Sequence, residues 1–172
     1  MTKEKGKASV SSIAEDHFAT LKNDDDKYDL ADVAVQIAMP VAAGAVVFLF
    51  KCVIGDVGAL VTGVSIVAAL MGAMAVLIFQ IRLSIPNDNR LDVYDYELVD
   101  EVFSNILWAI LVGFTLALGL VVYQTFCVMD LWLAGNVVTS LAVALGLHFV
   151  VVVAMCLKRL NLAYMRIAAK RR

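Results

Sequence analysis

Charge is what this chain lacks over most of its length. Only 17% of its 172 residues are Asp, Glu, Lys or Arg, and four windows, 33–50, 57–81, 102–129 and 131–157, contain none. Together the windows hold 98 residues, and each reaches the ~18-residue length of a candidate transmembrane helix. That distribution excludes a water-soluble enzyme, a nucleic-acid-binding domain and a disordered tail. Basic excess is missing too: the net charge is −2 and the pI about 5.6. No global positive field exists to draw nucleic acid, so no direct contact with it is expected. The three cysteines, Cys52, Cys127 and Cys156, show no CxxC spacing, so neither a zinc site nor a thioredoxin-like motif is suggested. Of the two prolines only Pro40 falls inside a window, where it predicts a kink one turn after Gln36. No Walker, Gly-rich phosphate or HExxH motif occurs. No catalytic set, cofactor or metal is therefore expected. A cleavable leader is not expected either, because the first apolar window opens at Val33 after a 32-residue segment rich in Asp.

What is present is apolar: 62% of the chain belongs to the AVILMFWYC set, and its mean hydropathy is +0.84. The windows predict an all-α integral membrane protein with four transmembrane helices. An N-terminal segment, 1–32, precedes a transmembrane domain, 33–157, which is interrupted by a loop at 82–101. A basic tail, 158–172, follows. If the helices alternate, 13 of the 14 Lys and Arg residues fall on one side and Lys51 alone on the other. By the positive-inside rule both termini are expected in the cytoplasm. Asp29, Asp32, Asp56, Asp100, Glu101 and Asp130 precede the windows, where a helix dipole favours negative charge, and Lys51, Arg82, Lys158 and Arg159 follow them.

Three pairs of short segments recur in the same order. Tyr28–Asp32 resembles Tyr96–Asp100, Cys52–Asp56 resembles Cys127–Asp130, and Ile81–Ile85 resembles Lys158–Leu162. They are consistent with two duplicated helical hairpins pointing the same way, related by an axis along the membrane normal. Helix ends that favour the same charges by themselves would produce the same matches.

The soluble parts carry two features. Ser12 and Glu15 form a capping-box pattern, and Ile13, Ala14, Phe18 and Leu21 follow with partial helical spacing, which predicts a short amphipathic helix at about 12–22. That helix either lies on the membrane surface or docks a partner. Acidic residues including Asp95 and Glu97 lead into the third window, as a solvated helix start or as a face for a basic partner. Phe18, Leu21, Asp95 and Glu97 are accordingly the candidate partner-docking residues.

Inside the windows, His148 is the one side chain that could titrate near neutrality. Ten residues before Lys158, it sits about 15 Å from the inner boundary. Asn136, Ser140, Ala144 and His148 follow at i+4 steps and form a stripe on the fourth helix. The stripe either lines a wet path or hydrogen-bonds another helix, and His148 can stay neutral with its N–H on a backbone carbonyl. The other histidine, His17, is expected on the far side of the membrane boundary from it. Small residues mark helix-packing faces: Ser65, Ala69 and Ala73, with Ala68 and Gly72, in the second window, Gly113 with Ala117 in the third, and Ala142 with Gly146 in the fourth. Cys52 and Cys127 both fall at outer turns. They either form a disulfide or remain lipid-facing thiols.

The function expected from this pattern is a non-enzymatic, multi-pass subunit in the bacterial inner membrane. It self-associates and recruits or signals to a cytoplasmic protein, as the membrane sensor or anchor of a signalling or defence system. Its partners are then the lipid bilayer, further copies of itself and that protein. The alternatives are a homo-oligomeric ion-conducting pore or membrane-disrupting effector, and a small proton-coupled transporter working through His148.

Overall fold

Apolar stretches of this length can satisfy their own backbone in lipid as helices, and helices are what form. The computed structural model describes residues 10–19, 33–84, 93–126 and 132–170, with no strand among them. The helices are α1 (Val10–Ala19), α2 (Ala34–Leu49), α3 (Val57–Ser84), α4 (Val93–Phe126) and α5 (Trp132–Lys170). Three contain segments long and apolar enough to cross a membrane: Val57–Leu83, Leu98–Phe126 and Leu133–Met165. At 1.5 Å per residue each exceeds the ~30 Å hydrocarbon core.

The first window falls short of this. Its described helix, α2, rises only about 24 Å over its 16 residues, so three helices rather than four meet the length criterion. A tight C-terminal turn ends α2. Lys51 adopts a left-handed backbone with φ of 57°. Its N–H donates to the Phe48 carbonyl at 3.2 Å, and the Cys52 N–H donates to the Val47 carbonyl at 3.3 Å. That pair is a Schellman motif, whose left-handed position normally takes glycine because a Cβ is strained there. Lys51→Gly is therefore expected to stabilise the protein by about 0.5–1 kcal/mol and Lys51→Val to destabilise it. Thermal unfolding in detergent micelles measures both.

Local chemistry also sets the next start. Asp56 Oδ1 accepts the Ala59 N–H at 3.0 Å, an N-cap for α3. Just before it, the Ile54 N–H donates to Thr139 Oγ1 at 3.0 Å, which ties the α2–α3 turn to α5.

The packing centres on α4, which lies between α3 and α5; α2 rests on α5, and α1 rests on α4. Ile106, Ala109, Val152 and Cys156 have no exposed surface, and Val102 and Leu120 almost none. No more than 33% of any spanning window is buried inside the chain. Leu70, Leu77, Phe79, Phe114 and Leu118 point outward. Such a surface is stable against lipid or another apolar surface and not against water.

One end of the bundle is charged. Arg82 at the end of α3 forms a forked pair with Asp100 of α4, at 2.7 and 3.2 Å. Arg159 of α5 reaches Glu101 of α4 at 2.7 Å. Beyond Lys158, α5 continues as helix, with Ala163 buried and Tyr164 and Met165 exposed.

Candidate functional site

A line of buried and half-buried polar groups runs from α1 through α4 and α5 to α2. It begins with His17, whose ring is fully buried although it comes from a ten-residue helix outside the apolar windows. His17 Nδ1 donates to Asn105 Oδ1 at 2.6 Å, across 88 residues of sequence. Its ring stacks on the Trp108 indole, with centroids 5.1 Å apart and planes 15° from parallel. Phe18 meets the same indole at 5.8 Å. An isolated helix of ten residues is marginal in water, so these contacts are what give α1 a fixed place.

Trp108 carries the line onward. Its Nε1–H donates to His148 Nε2 at 3.0 Å. An indole N–H can only donate, so this nitrogen of His148 is the acceptor. The other nitrogen, Nδ1, lies 2.8 Å from the backbone carbonyl of Gln36, which can only accept. His148 is thus held as a neutral imidazole with its proton on Nδ1, and both ring nitrogens are used.

That carbonyl is available for a reason written in the sequence. In an α-helix the Gln36 carbonyl would receive the N–H of residue 40, and residue 40 is proline. The backbone adjusts by forming a π-helical turn over Ala34–Ala38, in which the Met39 N–H reaches back to Ala34. His148 supplies Gln36 with the donor that Pro40 lacks. The Gln36 side chain is itself buried, and its Nε2 donates to the Met155 sulfur. Its Oε1 has no partner among the described residues.

The rest of the expected stripe also faces α2. Asn136 Nδ2 donates to the Phe48 carbonyl at 3.0 Å, adding a second bond at the end of α2. Ser140 Oγ donates to the Asn136 carbonyl at 2.7 Å, one turn back on its own helix. The Ser140 backbone meets Gly44 closely: a Cβ on Gly44 would lie 2.9 Å from the Ser140 carbonyl oxygen and 3.0 Å from Ala144 Cβ. Asn136, Ser140 and His148 thus use an i+4 stripe to hold α2, with Gly44 permitting the approach.

The other candidates separate into distinct groups. Gly113 sits in a close contact, where a Cβ would meet Phe149 at 3.0 Å and Ala68 at 3.2 Å, and Gly146 faces Leu116. Ser65, Ala69 and Ala73 are not buried, and nothing lies within 4 Å of a Cβ placed on Gly72. Their expected close packing is not made within this chain among the described residues. Phe18 packs on Trp108 of its own chain. Leu21 lies outside the described residues, as do the side chains of Asp95 and Glu97. Cys52 is an exposed free thiol, while Cys127 lies outside the described residues.

Sequence reasoning missed His17, Asn105 and Trp108. The expectation that the two histidines lie on opposite sides of a boundary is overturned: their rings sit edge to face, 6.4 Å apart. The physical reason is that α1 folds back onto the bundle, where stacking and the Asn105 hydrogen bond offset the burial of one imidazole. The available signal was that His17 falls one turn after Ile13 and beside Phe18, on the apolar side of the predicted helix.

Burial pushes the His17 imidazole down from 6.5 to about 4, with the Arg159 charge adding to the effect and the Asn105 bond opposing it. Released from the bundle, the same ring takes a proton near 6.5. Undocking therefore takes up a proton between these values. Docking of α1 is strongest above pH 6.5 and weakens as pH falls toward 4, by at most about 3 kcal/mol. Trp108 emission, read in a Trp132→Phe background, is expected to shift to the red over that window and to stay flat in His17→Ala. An unchanged spectrum from pH 7 to 4 in the protein with His17 intact contradicts this.

The arrangement holds α1 on the bundle by a ring stack and a hydrogen bond. Two histidines approach one another, but among the described residues no three His, Cys, Asp or Glu side chains gather to hold a metal. Comparison with known proteins assigns the chain to no group: no protein family matches the sequence, and no curated protein or solved structure resembles it.

Proposed function

We propose that the chain is a non-enzymatic, four-pass membrane subunit that signals inward through its N-terminal arm. In this reading α2 is the first and shortest crossing, α2–α3 and α4–α5 are the two duplicated hairpins, and both termini face the cytoplasm of a bacterial inner membrane. The observation that carries it is the full burial of His17 against Asn105 and Trp108. Through it, the first described helix, α1, is joined to a hydrogen-bonded line reaching α2. A change in how α2 packs on α5 alters His148, then Trp108, then the seat of α1. When α1 leaves that seat, the apolar face of Ile13, Ala14 and Phe18 becomes available to a cytoplasmic protein.

Self-association is supported by the outward-facing Ser65, Ala69 and Ala73 of α3, small enough for a second copy's helix to approach closely. The pore and transporter alternatives both drew on the stripe of α5. Asn136 and His148 of that stripe bond α2 of the same chain, and both nitrogens of His148 are already bonded. We therefore rank them below the signalling reading.

The test compares tagged full-length protein with His17→Ala, both solubilised from native membranes. The reading predicts a homo-oligomer in both, and one soluble protein enriched with His17→Ala, where α1 is released. Monomers with identical captured proteins would sink it.

A further inference from the structure

A cavity of about 390 Å³ opens sideways between α2 and α4, floored by Ala144, Leu145 and His148 of α5. Its size falls within the usual range for small-molecule pockets, roughly 300–1,000 Å³. Its walls are almost wholly apolar, including Pro40, Val41 and Leu111, and no Asp, Glu, Lys or Arg lines it. Gln36 lines it as well, and its fully buried Oε1 is without a partner among the described residues. A buried amide oxygen left unpaired is costly, and a donor brought by a ligand would remove that cost.

We propose that this groove binds an uncharged membrane lipid bearing a hydroxyl group, whose O–H donates to Gln36 Oε1 while its apolar body fills the space between α2 and α4. The chemistry argues for that class. The mouth opens onto the apolar outer surface of the bundle, so the ligand arrives through the membrane. An anionic headgroup would find no cation here, because the cavity has no Lys or Arg and His148 is held neutral by its two bonds. A pure hydrocarbon would fill the space but leave Gln36 Oε1 without a donor. Only an uncharged donor on an apolar body satisfies both the walls and the oxygen.

The proposal deepens the signalling reading and rests on its placement of the bundle in a membrane, because Phe18 of α1 forms part of the same wall. Its test requires no cytoplasmic protein, so it can fail while recruitment through α1 stands, and the reverse.

The experiment uses the full chain in nanodiscs with photoactivatable diacylglycerol, its O-methyl ether, and phosphatidic acid of the same acyl chains. The alcohol is expected to label residues of the groove about fivefold more than the ether, the factor carried by a hydrogen bond of ordinary net strength. Phosphatidic acid is expected to label no better than the ether. Val41→Trp, at a position 61% exposed and so tolerant of substitution, fills the groove and is expected to remove the labelling. Gln36→Leu, where it folds, is expected to erase the preference for the alcohol. Equal labelling by alcohol and ether, preference for phosphatidic acid, or labelling indifferent to Val41→Trp overturns the proposal.

Discussion

In His17→Ala, amide hydrogen exchange across Val10–Ala19 is expected to accelerate about a hundredfold at pH 7.5. The figure follows from what the substitution removes. A fully buried imidazole stacked on an indole is lost, together with its hydrogen bond to Asn105. Truncating a buried ring of this size costs about 2–4 kcal/mol, and each 1.4 kcal/mol is a factor of ten. Nothing in α1 itself compensates, because ten residues cannot sustain a helix without tertiary contact. The bundle should survive the change. Exchange within α4 and α5 is expected to hold steady, apart from the turn around Asn105 and Trp108. Exchange across α1 that is already fast in the parent protein would show that the contact does not hold it.

Gly44→Ala is expected to destabilise the protein by about 1–3 kcal/mol, the usual cost of overpacking a tight contact. Most glycine-to-alanine changes inside helices do the opposite, gaining up to about 1 kcal/mol because alanine is the better helix former. The reversal at Gly44 comes from its surroundings. The added carbon would lie 2.9 Å from a backbone oxygen, Ser140 O, which cannot swing aside as a side chain can. The helices must separate, and α2 carries Gln36 away from His148 as they do. Gly63 and Gly119 serve as controls, since nothing lies within 4 Å of a Cβ at either. Alanine there is expected to be neutral or mildly stabilising. Thermal unfolding of the three variants in one detergent reads the difference, and equal behaviour at all three positions would refute the close α2–α5 crossing.

Some features of this architecture are legible in the amino-acid sequence and others are not, and the division has a physical basis. Uncharged length shows in a sequence because lipid tolerates no unpaired charge, so the three long spans lie open to reading. Asp56 as a cap is readable for a similar reason, since its partner, Ala59, is three residues away. The stripe of Asn136, Ser140 and His148 is visible as a period. What it faces is not, because Gln36 and Phe48 are 112 and 88 residues distant from their partners. Pro40 announces a kink, yet the freed carbonyl of Gln36 acquires meaning only when His148 is known to reach it. Small residues mislead in the other direction. Ser65, Ala69 and Ala73 carry the same spacing as a packed face but point outward, whereas Gly113 and Ala68 make the contact. Composition identifies a surface that can be approached closely and does not say which neighbour approaches. His17 is the least readable of all. Its place one turn after Ile13 and beside Phe18 puts it on the apolar side of α1, but its burial is decided by Trp108 and by Asn105, 88 residues away on another helix.

The central claim is that α1 is held on the bundle through His17. The most direct measurement is the distance from α1 to α5, by double electron–electron resonance on spin labels at Ser11 and Lys158. Both positions are exposed, and the native cysteines would be replaced to leave only the introduced ones. In nanodiscs at pH 7.5 the account predicts one narrow distance distribution, which broadens in His17→Ala. A broad distribution in the parent protein, indistinguishable from that of His17→Ala, would contradict it.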